Sequence, residues 1–142
     1  MIDRELVGRK MMLIAEDLRR LEGLAAKDRG AYLASEIDET LAERYLERLI
    51  GRMIDVNYHV LTESGEAPPR DYFESFVALS RIGVVPADFA ARLAPCAGLR
   101  NRIIHAYDDL DPGRVYDALR TALVDVPEYL AAVRTFLDAK PS

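Results

Sequence analysis

Val7, Met11, Ile14, Leu18, Leu21 and Ala25 recur in alternating steps of four and three residues. At about 100° per residue such steps fall on one face of an α-helix, whereas a strand would split them between two faces. The pattern returns in Leu46, Leu49, Met53, Val56 and Val60, preceded by Ile37 and Leu41, with Lys27-Asp28-Arg29-Gly30 as the break between two helices. No alternating apolar and polar run of strand length, no internal repeat and no low-complexity tract is visible. The chain reads as an all-α bundle, one domain over residues 1–142, a length that supports a single core.

The punctuation agrees. The first helix is expected to end near Ala26 and the second near Ser64-Gly65, where glycine suits the left-handed position after a helix. Pro68 and Pro69 make the next segment a loop, and Asp71 with Glu74 has the spacing of a capping box ahead of a short helix with Phe73, Phe76 and Val77 on its apolar face. Pro86 opens another helix, broken or kinked near Pro95. Asp111-Pro112 predicts a helix start, and Asp125-Val126-Pro127 a second start, for a last helix ending near Ala139.

Composition narrows the function. The apolar runs are too short for a membrane span or a signal-peptide core, so a soluble, cytoplasmic protein is expected. One cysteine, Cys96, excludes an internal disulfide, and two histidines offer no cluster with metal-ligand spacing. No P-loop, G-x-G-x-x-G or G-x-S-x-G is present, and no cofactor is expected. The net charge of -5 argues against broad coating of nucleic acid but leaves room for a local basic site.

The stretch Leu99-Arg100-Asn101-Arg102-Ile103-Ile104-His105-Ala106-Tyr107 carries the chemistry. On a continuous helix Leu99, Ile103 and Ala106 share one side, and Asn101, His105 and Asp108 lie nearly opposite. Arg100 and Tyr107 fall in line on a flank, and Asn101 and His105 form an i,i+4 pair whose side chains can touch. An imidazole that takes or gives a proton near neutral pH, an amide able to fix its tautomer and a permanent cation suit reaction at a phosphodiester. With the ribose 2′-OH as nucleophile no metal is needed, and the substrate is then RNA.

These residues resemble the R-x4-H-x-Y signature of the HepT toxins, a branch of the HEPN superfamily of helical ribonucleases. Glu43 to Val60, Arg70 to Phe76 and Gly83 to Val85 resemble further parts of that family, so the likeness runs from about residue 40 to residue 112. It implies a HEPN-like bundle acting as a symmetric homodimer: a metal-independent endoribonuclease toxin with tRNA among its candidate substrates and no action on DNA. Arg100 and His105 match the family's catalytic pair, and Asn101 the polar residue after the arginine. Tyr107 matches the tyrosine that an MntA-type nucleotidyltransferase antitoxin modifies with AMP. The alternative is a HEPN-like module that binds such a partner without cutting RNA.

Arg92 and Arg102 are candidates for RNA contact, whereas Arg19-Arg20 and Arg44-Arg48 read as solvated helix faces. Cys96 reads as core. His59, beside Asn57 and Tyr58, reads as a packed or partner-facing residue at a helix end, and Asp108 and Asp109 either orient His105 or favour the turn before Asp111.

Overall fold

The computed structural model describes residues 1–140, apart from the side chain of Tyr107. Seven α-helices appear among them: α1 (Arg4–Ala25), α2 (Arg29–Leu33), α3 (Glu36–Glu63), α4 (Tyr72–Val77), α5 (Ala87–Leu93), α6 (Cys96–His105) and α7 (Pro112–Asp138). Short 3-10 turns at Ala78–Ser80 and Tyr107–Asp109 follow α4 and α6. The long helices α1, α3 and α7 pack on one another, and α4 and α6 lie against α3. Their apolar stripes merge into one core, with Ile14, Leu21, Leu46, Leu49, Met53 and Leu119 essentially inaccessible.

Helix starts are set by aspartate or serine caps. Asp3, Asp28, Ser35, Asp71 and Asp111 each accept from a backbone N–H in the first turn of their helix, at 3.0, 2.8, 3.1, 2.8 and 2.9 Å. At the end of α3, Gly65 takes φ of +90° while Glu66 N–H donates to the Leu61 carbonyl at 3.0 Å, the hydrogen-bond pattern that favours glycine after a helix.

Four expectations need correction. Asp28 does not only break the chain but caps α2, which seats a wholly buried Tyr32 against Tyr116 at 4.9 Å between ring centroids. At the start of α3, Ile37 and Leu41 are exposed, and the buried stripe runs Asp38, Ala42, Leu46, Leu49, with Asp38 paired to Lys27 at 2.7 Å. Phe73 is half exposed, leaving Ser75 and Phe76 as the buried residues of α4. Pro127 lies inside α7 and starts no new helix. Proline removes one backbone bond, but Val115 and Leu119 before it and Tyr129, Leu130 and Val133 after it are buried in one continuous stripe, and that packing carries the helix through.

A buried polar chain ties three helices together. The Tyr129 hydroxyl on α7 donates to Asn57 Oδ1 on α3 at 2.6 Å, Asn57 Nδ2 donates to Ser75 Oγ on α4 at 3.2 Å, and Ser75 Oγ donates to the Tyr72 carbonyl at 2.7 Å. It fixes the first turn of α4, which bears Tyr72. No helix among the described residues is long and apolar enough to cross a membrane.

Candidate active site

Helix α6 is short and runs between two others, so its side chains are dealt to different surroundings. Ile103 is buried, Leu99 is half-buried, and Asn101 and His105 are exposed, as the helical projection expects. The helix stops at His105. Ala106 leaves helical geometry with φ of -134° and ψ of 36°, and Tyr107 opens a separate 3-10 turn. The expected alignment of Arg100 with Tyr107 along one helix is therefore not formed, and the contacts of the Tyr107 side chain lie outside the described residues. Two aspartates follow at the negative end of α6, where acidic side chains disfavour continuation. Asp109 N–H donates to the Ala106 carbonyl at 2.9 Å, and no described hydrogen bond joins Asp108 or Asp109 to His105.

Arg100 faces α3 and α4. Its Nε is enclosed without a hydrogen-bond partner, against the backbone of Gly51, and its guanidinium lies 5.5 Å from the centroid of the Tyr72 ring. Among the described residues no carboxylate forms an ion pair with it. Arg100 separates two open clefts. One, of about 240 Å³, is lined by Gly51, Ile54, Asp55, Tyr58 and Tyr72. The other, of about 310 Å³, is lined by Lys10, Glu47, Arg48, Gly51, Arg52 and Asp55. The Tyr58 and Tyr72 rings meet edge to face at 6.1 Å, and burial raises the Tyr58 phenol above its ordinary pKa.

His105 is not brought to the same place. Five residues place it about 7.5 Å along the axis and about 140° around it from Arg100. Asn101, one turn before His105, stands on the same exposed side. Arg102 and Arg92 border a third, apolar groove of about 260 Å³ between α6 and α7, away from the Arg100 clefts. Arg92 is engaged there by Asp125 at 3.3 Å and Glu128 at 3.4 Å, and its guanidinium lies 4.7 Å from the Phe89 ring centroid. Cys96 lies in the same groove, where burial and the charge of Asp125 push its thiol up to about 12. His59 is structural: its Nε2 accepts from Asp3 N–H at 2.8 Å, joining α3 to the start of α1.

Gly51, Tyr72 and Arg52 were not singled out from sequence, Tyr58 was named only as a neighbour of His59, and Arg48 was assigned to a solvated face. Two signals were available: Gly51 is the only glycine in the 28 residues of α3, and Arg44, Arg48 and Arg52 repeat every four residues on it. Arg20 and Arg48, expected as solvated faces, both bond the buried carboxylate of Asp17, as Arg52 does.

The sequence profile of the ribonuclease HepT-like family matches residues 14–133, a span that includes Arg100, Asn101, His105 and Tyr107. This chain belongs to that family. It is 32% identical over 133 residues to the tRNA nuclease HepT of Aphanizomenon flos-aquae, covering 94% of this chain and 86% of that one. The HepT-like fold also recurs in solved structures at lower identity. YutE of Bacillus subtilis, a cytosolic protein of unknown function, superposes with a TM-score of 0.85 at 17% identity, covering 99% of this chain and 96% of that one. A tri-AMPylated Shewanella oneidensis HEPN toxin in complex with an MNT antitoxin does so with a TM-score of 0.84 at 19% identity, covering 95% and 99%.

Proposed function

We propose that this HepT-like chain is the toxin of a toxin–antitoxin pair, an endoribonuclease that cuts RNA through attack of a ribose 2′-OH. The observation that carries the reading is Arg100: a half-buried guanidinium with no described acidic partner, set between two open clefts on the helix that bears His105. Burying part of a cation without a counter-charge is unfavourable unless an anion comes to it. A phosphodiester supplies that anion, and Arg100 stabilises the charge that builds on its non-bridging oxygens.

In the reaction, the 2′-oxygen forms a bond to phosphorus as the bond to the 5′-oxygen breaks. A base removes the 2′ proton and an acid delivers one to the departing 5′-oxygen, giving a 2′,3′-cyclic phosphate and a 5′-hydroxyl. His105 moves a proton, with Asn101 one turn away to hold its tautomer. One imidazole cannot be base and acid in the same step, and Arg100 and His105 leave their helix in different directions. Two copies with their α6 helices facing answer both problems, each completing the other's site as a symmetric dimer.

The likeness to a tRNA nuclease makes tRNA the substrate to try first, in the cytoplasm. The AMP groups on a toxin of the same fold support control by an MntA-type nucleotidyltransferase acting on Tyr107, the tyrosine of the motif. Adenylylation there adds bulk and negative charge two residues from His105. Arg102, exposed on α6, remains the better of the two arginines first considered for RNA contact, because Arg92 is held by acids.

The test is cleavage of total tRNA by the unmodified protein, with and without EDTA, beside His105→Ala. Cyclic-phosphate ends that persist in EDTA and vanish in the variant are expected. Intact RNA in every lane would overturn the nuclease reading and leave a partner-binding module.

A further inference from the structure

Asp17 on α1 is wholly buried and holds three guanidiniums: Arg20 at 2.8 Å, Arg48 at 2.5 Å and Arg52 at 2.8 Å. One carboxylate cannot neutralise three arginines, so the cluster keeps an excess of two positive charges. Arg48 and Arg52 occupy successive turns of α3, about 6 Å apart along its axis. Their side chains are 33% and 23% exposed, so each is fixed from beneath yet open to a ligand above. Both line the cleft that ends at Arg100, together with Lys10. The acids nearby are Glu47, paired with Arg44, and Asp55, paired with Lys10. The cleft itself is lined by four cations (Lys10, Arg48, Arg52 and Arg100) against Glu47 and Asp55, and with Asp17 beneath the balance is still +1 in a chain whose total is -5.

The other side of Arg100 is aromatic. Tyr72 is 41% exposed, Arg100 lies over its ring, and Tyr58 walls the same cleft. Cations along a groove with an aromatic face at its end are the combination that recognises single-stranded nucleic acid, charge meeting phosphates and a ring meeting a base.

We propose that the Asp17-anchored arginines Arg48 and Arg52, with Lys10, form a track for the phosphates of single-stranded RNA, and that Tyr72, with Tyr58 behind it, stacks a base beside the phosphate held by Arg100. The proposal rests on the ribonuclease reading. An acidic protein surface would also meet the cations, but the track leads to the candidate reaction centre and ends on an aromatic ring, which favours a nucleotide strand as occupant. Asp17 touches no RNA; it positions the two guanidiniums. The strand then enters over the face formed by α1 and α3 and reaches the motif helix from the α3 side. Arg92, held by acids on the α7 side, lies off this path.

The experiment measures binding of a fluorescein-labelled single-stranded RNA and of total tRNA to the full chain carrying His105→Ala, by anisotropy across a salt series. Adding Arg48→Gln and Arg52→Gln should weaken binding at least tenfold and reduce the slope of log K against log salt by about 1.4, two phosphate contacts at roughly 0.7 each on a single strand. Arg114→Gln with Arg134→Gln, both on α7 and away from the track, changes the net charge equally and should leave binding within about twofold. Because the first pair withdraws two partners from buried Asp17, Lys10→Gln with Tyr72→Leu is measured as well. It leaves Asp17 untouched and should also weaken binding, through one lost phosphate contact and one lost stack. Equal losses in the track and control variants, or unchanged RNA binding with loss of binding to an antitoxin partner, would overturn the proposal. Cleavage by the wild-type chain is assayed in parallel. Wild-type cleavage with unaffected RNA binding refutes the track alone, and absence of wild-type cleavage refutes the nuclease reading on which it rests.

Discussion

Gly51→Ala should make the protein more stable and less active. Gly51 sits inside α3, where glycine disfavours a helix by about 0.8–1.0 kcal/mol relative to alanine. Alanine recovers at most that amount, worth up to about 3 °C in melting temperature for a chain of this size, less the cost of displacing Arg100. The new Cβ, however, would stand 3.3 Å from Arg100 Nε and 3.7 Å from Nη2, with Cζ at 3.9 Å. Carbon contacts are comfortable at about 3.5–4.0 Å, so the guanidinium must retreat by a few tenths of an ångström. Its Nε is already enclosed, and the shift passes to the end that would meet phosphate. Loss of one transition-state donor costs about 10²–10³ in rate and a misplacement of about 1 Å about 10²; a shift of this size should lower kcat/KM on tRNA roughly fivefold to tenfold. Scanning fluorimetry and initial-rate cleavage on the same preparation read the two effects. A variant that gains stability and cleaves as fast as wild type would refute the placement of Arg100 in the reaction.

Three further outcomes follow from the interior. Tyr129→Phe removes the hydroxyl that donates to Asn57 and leaves a buried amide oxygen without that partner, which should lower unfolding free energy by about 1–3 kcal/mol in urea titration; a loss below about 0.5 kcal/mol would show the network to be slack. Cys96, its thiol raised from 9.0 to about 12, should alkylate with iodoacetamide at pH 8 on the order of fiftyfold more slowly than a free thiol, the scarcity of thiolate being partly offset by its greater nucleophilicity, and a rate near that of free cysteine would contradict the raised value. The raised value also means that the folded chain holds this proton while the unfolded chain has released it, so the Cys96 contribution to stability falls as pH rises between about 9 and 12, and Cys96→Ala should flatten that part of the profile.

The helices were legible because burial imposes a period. The stripe of α1 from Val7 to Leu21 and that of α3 from Leu46 to Val60 lie where their spacing places them, and Asp71 and Asp111 cap as their positions imply. The failures share a cause, tertiary contact overriding a local signal. Pro127 reads as a start, yet the buried residues on both sides hold α7 together. Arg48 reads as surface charge because nothing in α3 announces Asp17, 31 residues away on another helix. His105 and Asn101 stand outside the core as the spacing of the motif implied. The setting of Arg100 was hidden, since Gly51 and Tyr72 come from distant parts of the chain.

The polar chain that begins at Tyr129 has a consequence for binding. A helix of six residues, alone, would melt and re-form continually, and a ring mounted on it would have to be immobilised each time a base arrived. By anchoring α4 through Ser75 and Asn57 to the middle of α3 and α7, the fold settles that ordering once, during folding. Tyr72 therefore meets its ligand preorganised, and amide hydrogens of α4 bonded within this clamp should exchange with solvent only when the whole bundle opens.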